Sequence, residues 1–157
     1  ASVKPAPEYV MQKLMPCDEI VAIDVETHDL IPESEKRQPW SRDRFGLCTT
    51  TTARTLSTLR GIQFGLAIGH NKDDMKKFEW LVKPDGFEIS PRATKIHGIS
   101  QVMAESNGVA VKHALQQMVS AVIDACAGGG RLVAHNLSFD AGLVYEELGR
   151  SPGQGGM

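Results

Sequence analysis

The sequence predicts an α/β fold in which three antiparallel strands form a meander and a fourth strand joins the sheet through a helical crossover. Short apolar runs typical of strands occur at 20–26, 62–69, 77–82 and 132–134. Between the last two of these runs, residues 111–127 carry apolar side chains at helical spacing. With 157 residues, of which 41% are hydrophobic, the chain is long enough to bury such a core.

The first predicted strand ends in two acidic residues, Asp24 and Glu26. They are two positions apart, so in an extended strand both side chains project from the same face of the sheet. Burying two neighbouring carboxylates without a partner is costly. A hard divalent cation such as Mg²⁺ or Mn²⁺ removes that cost, because it prefers carboxylate oxygen. The pair therefore predicts a metal site, and the alternative is a strand edge at which both acids face water.

Residues 31–60 separate the first two predicted strands. They are polar, rich in Thr and Ser, and contain more arginines than acids. A loop of this length is either functional or disordered. We expect an insertion that is either solvated and mobile or in contact with a phosphate backbone or a partner protein. Trp40 and Phe45 favour docking of part of it, because both are large apolar side chains.

Two helices are predicted in the middle of the chain from signals at their ends. Ser90 suits the N-cap and Pro91 the first position of a short helix. The longer helix at 111–127 is followed by three glycines at 128–130, which are expected to end it. Its Met and Val side chains are interpreted as core. The glycines lack the following Lys-Ser/Thr of a phosphate-binding loop.

After the strand at 132–134, apolar residues recur at helical intervals from Phe139 onward. Ser138 is the expected N-cap, and Asp140 then lies in the first turn, where negative charge suits the helix dipole. Asp140 is therefore either a helix-end acid that binds nothing or a third ligand. Together with the two acids of the first strand, a carboxylate at a strand-to-helix junction favours a two-metal site.

Four strings occur in this order: Asp-Val-Glu-Thr at 24–27, Gly-Ile-Gln-Phe-Gly-Leu-Ala at 61–67, Ala-Thr-Lys-Ile-His-Gly-Ile at 93–99 and His-Asn-Leu-Ser-Phe-Asp at 135–140. Together they resemble the motifs of the DnaQ-like DEDD 3′–5′ exonucleases, of the DEDDh type, in the ribonuclease H-like superfamily. The resemblance covers about residues 18–148, nearly the whole chain. Asp29 stands where the family usually has Gly, at a turn where Asp also tolerates positive φ.

The resemblance implies a ribonuclease H-like mixed sheet with flanking helices. It also implies hydrolysis of phosphodiester bonds at the 3′ end of single-stranded DNA or RNA by a two-metal mechanism. Asp24, Glu26 and Asp140 are then the catalytic metal ligands for two Mg²⁺ or Mn²⁺ ions, with Asp24 shared by both. The sequence does not distinguish DNA from RNA, or proofreading from processing or turnover.

The resemblance further implies four substrate-binding residues: Thr27, His28, His97 and Phe139. The Thr27 backbone is expected at the terminal 3′ hydroxyl and His97 beside the terminal nucleotide. Phe139 is expected to support base stacking, which tolerates any base. The alternative for His97 is a polar residue that only stabilises a turn.

The family's third motif supplies a final metal-binding Asp and a His or Tyr general base, and no Asp follows Asp140 in this sequence. We therefore expect a C-terminally truncated form of the fold that is weakly active at most by itself. One sheet face and the apolar side of the 111–126 helix would then be partly uncovered and need a partner. That partner is the absent C-terminal segment, a second copy of the chain, or a large complex that also contacts the insertion. Three hypotheses stay open: an exonuclease, a catalytically incomplete nuclease-like domain that serves as a structural or interaction subunit of a larger assembly, and a nucleic-acid binding module.

The predicted organisation is a lead-in at 1–18, an exonuclease-like domain at 19–149 with the insertion at 31–60, and a flexible tail at 150–157. A net charge of −2 argues against a global basic field for nucleic acid. The three cysteines are odd in number, lie far apart and form no Cys-x-x-Cys pair, which argues against a zinc site and against disulfides. Free cysteines of this kind predict a reducing, intracellular compartment. Cytoplasm, nucleus and organelle are not distinguished. No apolar run approaches the roughly 20 residues of a membrane span.

Overall fold

The computed structural model describes residues 18–33, 41–42, 48–49 and 53–150. In chain order the elements are β1 (Ile20–Thr27), β2 (Ser41–Arg42), β3 (Cys48–Thr49), α1 (Ala53–Thr58), β4 (Gly61–Gly69), β5 (Lys76–Leu81), α2 (Pro91–His97), α3 (Gln101–Asn107), α4 (Val111–Ala127), β6 (Arg131–Val133) and α5 (Leu137–Arg150). Residues 1–17 of the predicted lead-in, Trp40 and Phe45 of the insertion, and residues 151–157 of the predicted tail lie outside the described residues.

The main sheet has the strand order β5-β4-β1-β6. The first three of these strands pair antiparallel, whereas β6 runs parallel to β1 after the crossover through α4. This arrangement confirms the predicted meander with one crossover strand. A register shift between Glu26 and Thr27 interrupts the β1–β4 ladder where β1 ends, and such a bulge turns the chain as it leaves the sheet.

The alternation of side chains along β1 separates the core from the acidic residues. Val21, Ile23 and Val25 are buried in a cluster that includes Leu115 of α4 and Leu143 of α5. The alternate residues of the strand point to the other face of the sheet. Both helices thus cover one face of the sheet and leave the acid-bearing face open.

The helix ends in the middle of the chain follow the sequence signals. The Ser90 side chain accepts a hydrogen bond from the Ala93 backbone N–H, and Pro91 begins α2. Gly98 ends α2 with a φ of +78°, a left-handed conformation that glycine adopts without strain. The α4 helix has the predicted bounds. The α3 helix, which follows the N-cap residue Ser100, was not predicted. Within the described residues, no helix combines the length and apolar character needed to cross a membrane.

The predicted start of the last helix was wrong by two residues. The α5 helix begins at Leu137, and the Asn136 carbonyl accepts hydrogen bonds from the N–H groups of Phe139 and Asp140. Ser138 is consequently a buried residue of the first turn and not the N-cap. Asp140 still lies in the first turn, as predicted. The helix continues to Arg150, the first residue of the predicted tail.

The interpretation of 31–60 as a loop was wrong at its C-terminal end, where α1 forms. Leu56 and Leu59 are buried in the main core, although the surrounding sequence is polar. A Cβ atom on Gly142 of α5 would lie 2.6 Å from a methyl carbon of Leu56, so the glycine allows the two helices to approach closely. The end of the insertion is therefore part of the folded domain.

Replacing Leu56 with alanine is expected to lower the free energy of unfolding by about 2–5 kcal/mol, because the truncated side chain leaves a cavity between α1 and α5. Val102→Ala, the same kind of truncation at a 70% exposed position of α3, is the matched control and should change stability by less than about 0.5 kcal/mol. Urea denaturation of both variants measures the difference. Equal stabilities would show that α1 contributes nothing to the core.

Candidate active site

Asp24 and Glu26 lie side by side on the open face of the sheet, as their spacing predicted. They stand opposite Gly65 and Gln63 of β4, and Asp24 is exposed whereas Glu26 is half-buried. Both line an open cleft of about 390 Å³ that extends across β4 to Lys77 on β5. Since Gly65 has no side chain, it leaves the space beside Asp24 open.

Asp140 reaches the same region from α5. Its Oδ1 atom accepts a hydrogen bond of 3.0 Å from the Val25 backbone N–H, between the two acids of β1 in sequence. The pairing of β6 with β1 extends only as far as Ala22. Beyond Ala22, β6 no longer pairs with the backbone of β1, and at Val25 the Asp140 carboxylate accepts the β1 N–H instead. Asp140 is only 4% exposed.

The three acids influence one another electrostatically. Burial raises the pKa of Asp140 to about 6, and the charge of Asp24 adds to this effect, although the Val25 N–H opposes it. Burial also raises the pKa of Glu26, with Asp24 again adding to the increase and His97 opposing it. Asp24 is thus the common electrostatic neighbour of the other two carboxyl groups.

The donor chemistry fits a hard divalent cation, because all three side chains offer carboxylate oxygen and a cation would relieve their mutual repulsion. Their spacing does not by itself define an ion position. Across the described parts of the chain, no three His, Cys, Asp or Glu side chains converge closely enough to hold a metal. In particular, Asp140 directs one oxygen to the backbone of β1.

Ionisation of Asp140 should destabilise the fold, and Asp140→Asn tests this. The folded-state pKa of Asp140 is raised, so the folded protein loses stability relative to the unfolded chain as the pH rises from about 4 through about 6. Asparagine keeps the oxygen that accepts from Val25 but carries no charge. Near pH 7.5 the variant should be more stable than the parent by about 1–2 kcal/mol, and near pH 4 the two should be equal. Chemical denaturation at both pH values measures this, and a difference that does not depend on pH contradicts it.

His97 and Thr27 are linked through the backbone of Thr27. The Nδ1 atom of His97 accepts from the Ile99 N–H at 3.1 Å, so Nε2 carries the proton and donates to the Thr27 carbonyl at 3.1 Å. The Thr27 hydroxyl donates to the Asp29 carbonyl at 2.7 Å. His97 is therefore held at the end of β1 by hydrogen bonds at both ring nitrogens.

His28 and Phe139 are engaged in packing. The Nδ1 atom of His28 accepts from the Arg60 N–H at 3.0 Å, and its ring meets Phe87 edge-on with centroids 5.3 Å apart. Burial is the main cause of its lowered pKa. Phe139 is partly buried against the main core. The substrate contacts predicted for both residues stay predictions.

Sequence reasoning missed the role of Asp29. No non-glycine residue in the described segments has a positive φ, so Asp29 does not use the conformational tolerance suggested for it. Instead its Oδ1 atom accepts from the Leu30 N–H and from the hydroxyl of Ser90, the N-cap of α2, both at 2.8 Å. The Ser90 N–H also donates to the His28 carbonyl at 2.7 Å. These bonds attach the helix that carries His97 to the end of β1.

The RNase_T family model, described as "Exonuclease", matches residues 21–151. Comparison with curated protein sequences finds no match. A product-bound structure of exonuclease I has a TM-score of 0.60 and 15% identity, over 85% of this chain and 25% of that chain. The metal-free form of the E. coli exonuclease I–ssDNA complex has a TM-score of 0.56 and 15% identity, over 80% of this chain and 22% of that chain. The zinc ion bound form of this complex has a TM-score of 0.54 and 16% identity, over 85% of this chain and 24% of that chain.

At these identities the structural similarity concerns the fold, which is the ribonuclease H-like fold that the sequence motifs predicted. The chain spans about a quarter of the length of these structures. The family match covers the acidic residues of β1 and α5 as well as the segment that carries His97.

Proposed function

The chain belongs to the RNase_T exonuclease family, and on this premise we propose that it hydrolyses phosphodiester bonds at the 3′ ends of nucleic acids. Asp24, Glu26 and Asp140 form the metal-binding part of the proposed site. One observation carries the proposal: the 3.0 Å hydrogen bond from the Val25 N–H brings the Asp140 carboxylate of α5 to β1, at the residue between Asp24 and Glu26. Neighbouring carboxylates that repel one another are suited to hold divalent cations, because a cation relieves the repulsion.

When bound, two Mg²⁺ or Mn²⁺ ions would supply a hydroxide at neutral pH and stabilise charge on the scissile phosphate. Asp24 is the proposed shared ligand, with Glu26 for one ion and Asp140 for the other. The bond from Val25 to Asp140 fixes the position of that carboxylate relative to β1. This arrangement orients the acids before substrate arrives.

We assign the terminal nucleotide to the end of β1, where His97 holds the Thr27 carbonyl. This contact orders the backbone that would face the 3′ hydroxyl. The cleft is open along the sheet, and Lys77 is the one cation among its described lining residues. A single strand fits such an open surface, and Lys77 suits a phosphate of that strand.

A labelling experiment tests this proposal. With Mn²⁺, a single strand labelled at its 5′ end should shorten one nucleotide at a time, whereas a strand with a blocked 3′ terminus should persist. We expect the reaction to be slow, because no proton acceptor for the water is identified among the described residues and losing one typically costs about 10²–10⁴ in rate. DNA and RNA are compared in parallel.

Asp24→Ala should abolish this shortening, and Asp85→Ala, at an exposed acid outside the cleft lining, is the matched control. Shortening that persists without divalent metal or in Asp24→Ala contradicts the proposal. A product series that starts from the 5′ end contradicts the assigned polarity.

A second candidate function, a subunit that docks on a protein partner, is favoured by an apolar groove of about 210 Å³ between α4 and α5. Val122, Val144, Tyr145 and Leu148 contribute to its lining, and the last two are 51% and 43% exposed. Sedimentation of the purified chain with a dye that reports apolar surface tests this candidate. A monomer that binds no dye and unfolds cooperatively contradicts it.

A further inference from the structure

The α5 helix carries a second buried acid, Glu147, which is 0% exposed. It lies seven residues after Asp140, and two helical turns place both side chains on the same face of the helix. Seven residues correspond to roughly 10 Å along the axis. Glu147 is therefore too remote to share a metal ion with Asp140.

Glu147 lies between two arginines and the start of β4. Its Oε1 atom accepts from the Gly61 N–H at 3.0 Å, from Nε of Arg60 at 3.0 Å and from Nη1 of Arg150 at 2.9 Å. The same Nη1 atom of Arg150 donates to the Leu59 carbonyl at 2.8 Å. One carboxylate thus joins α5 to β4 and to the segment that follows α1.

Asp140 and Glu147 make the same kind of contact, because each accepts a hydrogen bond from a backbone N–H of the sheet. Asp140 accepts from the Val25 N–H of β1, and Glu147 accepts from the Gly61 N–H of β4, the strand next to β1. Leu143, which lies between the two acids, packs α5 on the core, but apolar packing is not directional. A directional hydrogen bond at each end of this packed stretch fixes both the rotation of the helix and its position along its axis.

We propose that Glu147 is a positioning residue for Asp140. By anchoring the C-terminal half of α5 to β4, it sets the rotation and depth at which the Asp140 carboxylate meets β1. The arginines strengthen this anchor, because charge-assisted hydrogen bonds are stronger than neutral ones. The consequence for metal binding rests on the proposed function, in which Asp140 is a ligand. The effect on the hydrogen bond between Val25 and Asp140 is independent of the proposed function.

Hydrogen exchange in the metal-free protein tests the geometric part. In Glu147→Gln, which keeps an oxygen for the Gly61 N–H but loses the charge, the Val25 amide should exchange faster relative to amides in the centre of β4. Glu146→Gln, at the neighbouring acid on another face of α5, is the matched control and should leave Val25 unchanged. If only the Gly61 amide exchanges faster, Glu147 has a local structural role and the proposal is wrong.

Mn²⁺ titration by electron paramagnetic resonance tests the functional part. Residues that orient metal ligands typically contribute about 10–100-fold to affinity, so Glu147→Ala should weaken binding by about 10-fold or more and Glu147→Gln by less. If Glu147→Ala does not fold, the comparison uses Glu147→Gln and Arg150→Ala, and both should weaken binding. Folded variants with parental affinity and parental Val25 exchange overturn the proposal. If the parent chain binds no Mn²⁺, the proposed function fails, and the exchange of Val25 alone decides the positioning role.

Discussion

Replacing Glu147 with alanine is expected to lower the free energy of unfolding by about 3–5 kcal/mol. The loss is large because the substitution leaves the guanidinium groups of Arg60 and Arg150 without the carboxylate that both contact, and breaking a buried ion pair on one side costs about this much. The Gly61 N–H also loses its acceptor inside the protein. Denaturant midpoints of the variant and the parent measure the effect.

A leucine at this position separates the charge contribution from the packing contribution. Glu147→Leu refills most of the volume but still leaves both arginines uncompensated, so it should be nearly as destabilised as Glu147→Ala. If Glu147→Leu is as stable as the parent, the ion pairs contribute nothing net, as is known for some buried pairs that are replaced by apolar residues.

Replacing Asp24 with alanine should have two opposite effects. Removing its charge eliminates a repulsion, so the pKa values of Glu26 and Asp140 should both fall. The same change removes the ligand proposed for both ions, so the affinity for Mn²⁺ should fall on the order of 100-fold or more. Carbon-13 NMR titration of the carboxyl groups measures the first effect, and calorimetry the second.

Asp24→Asn is the matched variant, because it removes the charge but keeps the size of the side chain. It should lower both neighbouring pKa values as Asp24→Ala does. If the pKa values stay unchanged in both variants, the three acids do not form one electrostatic cluster.

Local rules were sufficient wherever neighbouring residues determine the structure. The alternation along β1 predicted that Asp24 and Glu26 share a face, and the register with β4 places them so. Ser90 and Pro91 predicted the start of α2, because capping involves only the first turn of a helix. The bounds of α4 followed from its apolar spacing and the glycines after it.

Residues that act through distant partners were not predicted. The α1 helix lies in a polar sequence and is held by contacts between Leu56 and α5, which no local pattern contains. Local sequence offered no reason to single out Glu147 within the last predicted helix, because its partners Arg60 and Gly61 are 87 and 86 residues away in sequence. An acid two turns after Asp140 on the same face was the only available signal.

The account depends most on the claim that Asp24, Glu26 and Asp140 hold divalent metal together. The most direct test is a Mn²⁺ titration of the isotope-labelled chain, observed as paramagnetic broadening of backbone amide signals. Broadening should begin at residues 24–26 and 140 at the same Mn²⁺ concentration, and it should be absent in Asp24→Ala. Broadening that begins elsewhere, or that persists unchanged in Asp24→Ala, would contradict the proposed metal site.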